Sequence, residues 1–283
     1  MKNCIIMTAY KDVEAINRFI SSTPWDWGIY IHLDKKSTIR REEIDKRAFV
    51  FSINKVYWGA WEHLYVILWL LNKAEDEGNF DYYHIVSGQD FYAMSPDKIN
   101  ETLVSLEGNN LIDYFPIPHP TWNCWDFGYG IFQNTTLASY CDIRNGWAWR
   151  FNNILLKIQQ LCPYLKRKLP DMELFGAGVY CSLHNDFVSW LLKSDKAIRF
   201  LNSLKNTTCS EEVFFATLII NSPYKNKCIQ NSYRYVDWGK SGLVLDESDF
   251  AKIVESNSFF CRKVDSRRSG NLSKLLLTYI SQY

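Results

Sequence analysis

The sequence predicts an α/β fold with a mostly parallel central sheet and helices on both faces. Three observations carry this reading. Short buried strand-like segments alternate with helical ones from residue 4 to residue 90, the spacings suit βαβ units, and strand ends carry polar or acidic residues. Residues 4–9 read as a buried strand, followed by an amphipathic helix over Val13–Ser21. Trp27–Asp34 is a second strand ending in an acid, and Phe49-Val50-Phe51, rich in β-formers, is a third. A helix over Glu62–Glu77 ends near Gly78, and Tyr82–Val86 is a fourth strand running into Ser87-Gly88-Gln89-Asp90. Ligands of such sheets bind at the carboxyl ends of the strands, which puts Tyr10, Asp34 and Asp90 at one edge.

Residues 112–150, rich in Pro and Trp, read as a long ordered loop region of the functional kind. Trp122, Trp125, Trp147 and Trp149 are candidates to line a sugar-binding cleft, since flat rings pack on the apolar faces of sugars, and are equally at home in a core. A helix over Phe151–Cys162 and the Lys166-Arg167-Lys168 cluster follow. Leu174–Leu183 reads as one strand whose glycines suit close backbone approach, since no GxGxxG pattern is present.

The segment from Thr207 to Thr217 holds the clearest chemistry. Thr208 and Glu211 have capping-box spacing, which would occupy Glu211 and leave Glu212 as a spare acid at the mouth of a buried helix. A general base and a simple complement to the helix dipole are the competing readings of Glu212; as a base it is expected to be ionised at neutral pH. Asp34 and Asp90 are strand-end acids that suit a ribose, a sugar or a loop cap; a single acid in Ser87-Gly88-Gln89-Asp90 makes a poor metal site. Arg234 and the Arg262-Lys263 pair can meet phosphate oxygens or form ion pairs with Asp237 and Asp265.

Composition narrows the classes. A net charge of +1 over 283 residues gives no support for nucleic-acid binding. Eight scattered cysteines without C-x-x-C pairs read as free thiols in a reducing cytoplasm. No leader is expected ahead of the first strand, and no apolar run has the length of a membrane span. Lys166-Arg167-Lys168 and Arg267-Arg268 leave a peripheral membrane contact open beside solvated charge.

Four blocks in this order resemble a known family: Ile29–Lys36, Val56–Trp61, Tyr82–Phe91 and Cys209–Thr217, with Phe259–Asp265 in support. They are similar to the core-2/I-branching β-1,6-N-acetylglucosaminyltransferases and peptide xylosyltransferases of glycosyltransferase family 14. The resemblance implies a GT-A-type fold, with a nucleotide-binding half at 1–110 and an acceptor and catalytic half at 111–283. It implies inverting transfer of a sugar, N-acetylglucosamine in the first instance, from a UDP-sugar donor to a glycan or lipid-linked oligosaccharide acceptor. No cofactor or required metal is implied. Glu212 would be the base and Arg234 and Lys263 the diphosphate cations, with Asp34 and Tyr10 at the nucleotide. Asp90 and Gln89 would be the donor-sugar or loop residues. The chain departs from the animal enzymes in lacking an anchor and stem, in Ser210-Glu211 for Pro-Asp, and in Tyr92 after Phe91. The resulting expectation is a bacterial-type cytoplasmic enzyme of polysaccharide synthesis, at the inner membrane face. The rivals are a carboxylate-based glycoside hydrolase and a non-catalytic sugar-binding protein.

Overall fold

The computed structural model describes residues 1–282, the side chains of residues 123–125 and 241 excepted. Strand β1 (Asn3–Ala9) lies inside a seven-stranded sheet, and its alternation shows why the fold is layered. Cys4 and Ile6 face one core with Leu64, Ile67 and Leu71, while Ile5 and Met7 face another with Ile16, Phe19 and Ile20. A strand covered on both faces reads as a continuous apolar run, which is how this one is written.

Helix α1 (Val13–Ser21) is started by Asp12, whose carboxylate accepts the Ala15 N–H. Strands β2 (Gly28–Leu33) and β3 (Phe49–Phe51) extend the sheet on one side of β1; after α2 (Trp61–Glu77), β4 (Tyr82–Ser87) pairs with β1 on the other. All four strands are parallel and begin and end within a residue of the predicted bounds.

Next come β5 (Asp90–Tyr92), α3 (Pro96–Ser105), β6 (Asn110–Leu111) and β7 (Tyr114–Pro116). The middle region is less of a loop than predicted. It holds a 3₁₀ stretch (Pro120–Gly128), α4 (Tyr129–Gln133) and α5 (Gly146–Leu161). Helix α5 starts at Gly146 rather than Phe151, so Trp147 and Trp149 stand on a helix. No side chain caps its start, and Gly and Trp are weak helix formers, so the sequence carries no start signal there. The single strand predicted over Leu174–Leu183 is two: β8 (Phe175–Ala177), paired with β7, and β9 (Ser182–His184), antiparallel to β4. Gly176 does allow a close approach, since a Cβ there would meet the Phe115 ring at 2.6 Å.

Helices α6 (Asn185–Lys193), α7 (Asp195–Ser203) and α8 (Glu211–Ile220) precede β10 (Cys228–Ile229) and β11 (Arg234–Val236). Helix α9 (Phe250–Glu255), β12 (Phe260–Arg262) and α10 (Gly270–Ile280) complete the chain. The sheet order is β10-β6-β9-β4-β1-β2-β3, with β9 antiparallel to its neighbours. This is the mostly parallel α/β sheet that the sequence predicts. Helices α2 and α8 cover one face; α1, α3 and α10 cover the other. A small sheet, β11-β12-β5, sits beyond the carboxyl end of β4. Cys4, Cys141, Cys162, Cys181, Cys228 and Cys261 are free thiols.

Candidate active site

The register of the sheet aligns Ala9 with Leu33 and Thr8 with Ser87, so the residues that follow β1, β2 and β4 share one edge. The first turns of α2 and α8 meet that edge. They are held together through Gly59, whose carbonyl accepts the Cys209 N–H at 2.9 Å, and through a bridge between Ala60 and Thr208. Gly59 has φ +67, and a Cβ would lie 2.6 Å from the Thr208 hydroxyl, so a side chain would push the two helix starts apart.

This arrangement corrects the predicted capping box. Ser210, in helical conformation and with no side-chain bond, is the N-cap of α8. The Thr208 side chain points to the Cys209 sulfur. Glu211 does not fold back on the helix start; its Oε1 accepts from Nδ1 of His63 at 3.0 Å, and His63 Nε2 lies 3.1 Å from Thr8 Oγ1. A neutral ring donating from Nδ1 accepts the Thr8 hydroxyl proton at Nε2. Glu211 is therefore occupied, as predicted, but by a histidine from α2. Its Oε2 is buried without a partner.

Glu212 is the open acid. Its carboxylate makes no hydrogen bond among the described residues, and its pKa is raised to about 8, by burial first and then by Glu211, with Arg262 opposing. The expectation of an ionised carboxylate at neutral pH is thereby overturned. A helix start favours the anion by roughly 0.3–1 kcal/mol, less than one pKa unit, and burial beside a second acid outweighs it. If Glu212 must be deprotonated to act, kcat/KM should rise with pH through about 8 and level off above it. A pH–rate profile checks this, and the rising limb should be absent from the residual activity of Glu212→Gln.

Arg262 lies within the field of Glu212, and Lys263 lies within the fields of Arg262 and Lys11. Arg262 pairs across β12 and β5 with Asp90, its Nε 3.0 Å from Oδ1, and its guanidinium lies 3.6 Å from the centre of the Tyr180 ring. Asp90 also accepts the Ser87 N–H and is buried, while the Gln89 carbonyl accepts the Val264 N–H at 2.7 Å. The Lys263 ammonium makes no hydrogen bond or ion pair among the described residues, while its backbone is tied to Leu243 and Leu245. Burial holds its pKa down, as do Arg262 and Lys11, with Asp90 alone pulling it up. Lys11 and the exposed Tyr10 follow β1, with the ammonium 5.3 Å from the ring centre. An anion would relieve the crowding of positive charge around Lys263, so this edge suits a polyanionic group.

The other predicted residues fare differently. Asp34 is at the end of β2, but its oxygens accept from the Lys36 N–H, the Lys36 ammonium and the Val56 N–H at 2.8, 2.9 and 3.3 Å. Arg234 donates to Ser232 O, Cys181 O and Ser182 Oγ at 2.8, 2.9 and 3.2 Å and stacks on Phe260 at 4.6 Å. Burial lowers its pKa to about 10, and its unpartnered Nε is buried, so the guanidinium joins β11 to β9. Trp122 packs edge-on against Phe115 and belongs to the core margin. Trp147 and Trp149 are 64% and 52% exposed on α5, and the Trp125 side chain lies outside the described residues. The four tryptophans do not share one environment. His63 and Tyr180 were missed. His63 lies two residues past the Val56–Trp61 block, and nothing local in the sequence announces its partner 148 residues away. Among the described residues, no group of three or more His, Cys, Asp and Glu could hold a metal ion.

The family model of the core-2/I-branching enzymes matches residues 5–257. No curated protein matches the chain significantly. Among solved structures, apo mouse xyloside xylosyltransferase 1 is similar at 10% identity, covering 92% of this chain and 97% of that chain. The TM-score of that pair is 0.40.

Proposed function

The chain belongs to the core-2/I-branching enzyme family of glycosyltransferases, and on that premise we propose that it performs an inverting, metal-independent transfer from a UDP-sugar. The donor sugar is N-acetylglucosamine, and the acceptor is a hydroxyl of a glycan or lipid-linked oligosaccharide. As the acceptor oxygen attacks the anomeric carbon, its proton passes to Glu212; the bond from that carbon to the diphosphate breaks, and its electron pair leaves on UDP. Lys263 and Arg262 stabilise the departing charge. Arg262 takes the place first given to Arg234, whose donors are already used within the fold. Tyr10 and the Asp34 loop lie at the nucleotide side, and Asp90 and Gln89 position Arg262 and Val264.

The observation that carries this reading is a single unbonded carboxylate, with a pKa near the working pH, within the field of Arg262. A general base works best when its pKa lies near the pH at which it acts. Asp90, tied to Arg262 and to Ser87, is poorly placed to hold a divalent ion. A screen of UDP-sugars for donor turnover tests the function. Turnover of UDP-N-acetylglucosamine that persists in EDTA is the expected result; complete loss restored by Mn²⁺ would contradict the metal-independent reading. A cytoplasmic location is part of the same proposal. Among the described residues no helix is long and apolar enough to cross a membrane.

A further inference from the structure

Helix α5 is built inside out. The residues it turns toward the protein are small or polar: Ala148, Asn152 and Gln159 are its buried positions. Asn152 Oδ1 accepts the Leu137 N–H at 3.0 Å, and the Gln159 amide both accepts from Thr135 N–H and donates to Thr135 O, at 2.8 and 2.9 Å. Apart from the half-buried Leu155 and Leu156, its large apolar side chains are exposed. Trp147, Phe151, Ile154, Ile158 and Leu161 are all exposed, Phe151 at 59% and Leu161 at 82%. Their spacing of four, three, four and three places them on one stripe. A helix whose apolar stripe packed on its own protein would show the opposite arrangement.

Charge says what covers the stripe. Between Asp142 and Asp171 the chain carries six cations and no acid. At about 100° per residue, Arg150 and Lys157 fall side by side along one flank of the stripe. Neither they nor Lys168 has an acidic partner among the described residues, whereas Lys166 pairs with Asp126 at 3.5 Å and Arg167 is held by the Ser203 carbonyl at 2.8 Å. An apolar stripe with aromatic rings, flanked by unpaired cations, is the pattern of a helix lying in the plane of a membrane interface. A second copy of the chain would bring the same positive charge to the contact and repel it.

We propose that the outer face of α5 docks this protein on a bilayer surface carrying anionic lipid headgroups. The apolar side chains enter the headgroup–acyl boundary, while Arg150, Lys157 and Lys168 meet lipid phosphates. The inference does not rest on the transferase reading, and its test uses neither sugar nor nucleotide.

The full chain is sedimented with vesicles of phosphatidylcholine alone or mixed with phosphatidylglycerol. Binding is expected on the mixed vesicles, weakening with salt, and at least about ten-fold weaker for Phe151→Glu/Ile158→Glu and for Arg150→Glu/Lys157→Glu. All four positions are exposed, so circular dichroism should show wild-type folding in both variants. No binding to the mixed vesicles, or equal binding by the wild type and both variants, overturns the proposal. So does a wild-type dimer in light scattering that Phe151→Glu/Ile158→Glu converts to monomer, because the stripe would then belong to a second copy.

Discussion

Replacing Glu212 with glutamine is expected to lower kcat by about 10²–10⁴ while leaving the fold intact, the usual worth of a general base. Glutamine keeps the shape of the side chain and removes its ability to take a proton. The same substitution should change stability with a definite sign. The folded-state pKa of Glu212 is about 8, above the ordinary 4.5. The folded protein therefore holds this proton more tightly than the unfolded chain does. The stability so gained is fully present below about pH 4.5 and is lost as pH rises through about 8. Glu212→Gln never ionises at this position, so its Tm relative to wild type should rise from about pH 5 to about pH 9. Kinetics and thermal melts at both pH values check the two halves separately. Wild-type turnover would remove Glu212 from the mechanism, whatever the melts show.

The second large effect belongs to Arg262. The Asp90 side chain is fully buried and that of Arg262 is 15% exposed, so the pair is shielded from solvent. Arg262→Met would leave the Asp90 carboxylate buried without its cation, a loss of about 3–5 kcal/mol for a broken buried pair. For a chain of this size that corresponds to a fall in Tm of roughly 10 °C. Adding Asp90→Asn should recover part of the loss, because the uncompensated charge goes with it. Lys263→Met, by contrast, removes an ammonium that has no ion-pair partner among the described residues, and should melt close to wild type. An unchanged Tm in Arg262→Met would show that Asp90 does not depend on it.

Much of the architecture was legible, because buried parallel strands and amphipathic helices announce themselves in runs and periods. Strands β1–β4 and helices α1 and α2 follow directly from such local patterns. Glu212 could also be picked out, as the second of two acids at the head of an apolar helix. The errors fall where a distant partner decides the local structure. Thr208 and Glu211 have capping-box spacing, but Ala60 and His63 draw them into contacts across the chain. The pKa of Glu212 depends on burial beside Glu211, which periodicity does not convey. Arg234 stands in a segment that suggested phosphate contact, yet its donors reach the Cys181 carbonyl just before β9, the Ser182 hydroxyl and the Ser232 carbonyl. Helix α5 begins earlier than expected because the Asn145 side chain makes no capping bond, so nothing in the sequence marks its start.

Calorimetric titration of UDP in the presence of EDTA tests the central claim most directly: that cations of this chain receive a nucleotide diphosphate at the edge where Glu212 is open. Saturable UDP binding by wild type, preserved in Glu212→Gln and weakened at least about ten-fold in Lys263→Met, is the predicted result. No binding of UDP, as a glycoside hydrolase or a simple sugar-binding protein would give, or equal binding by Lys263→Met, would contradict it.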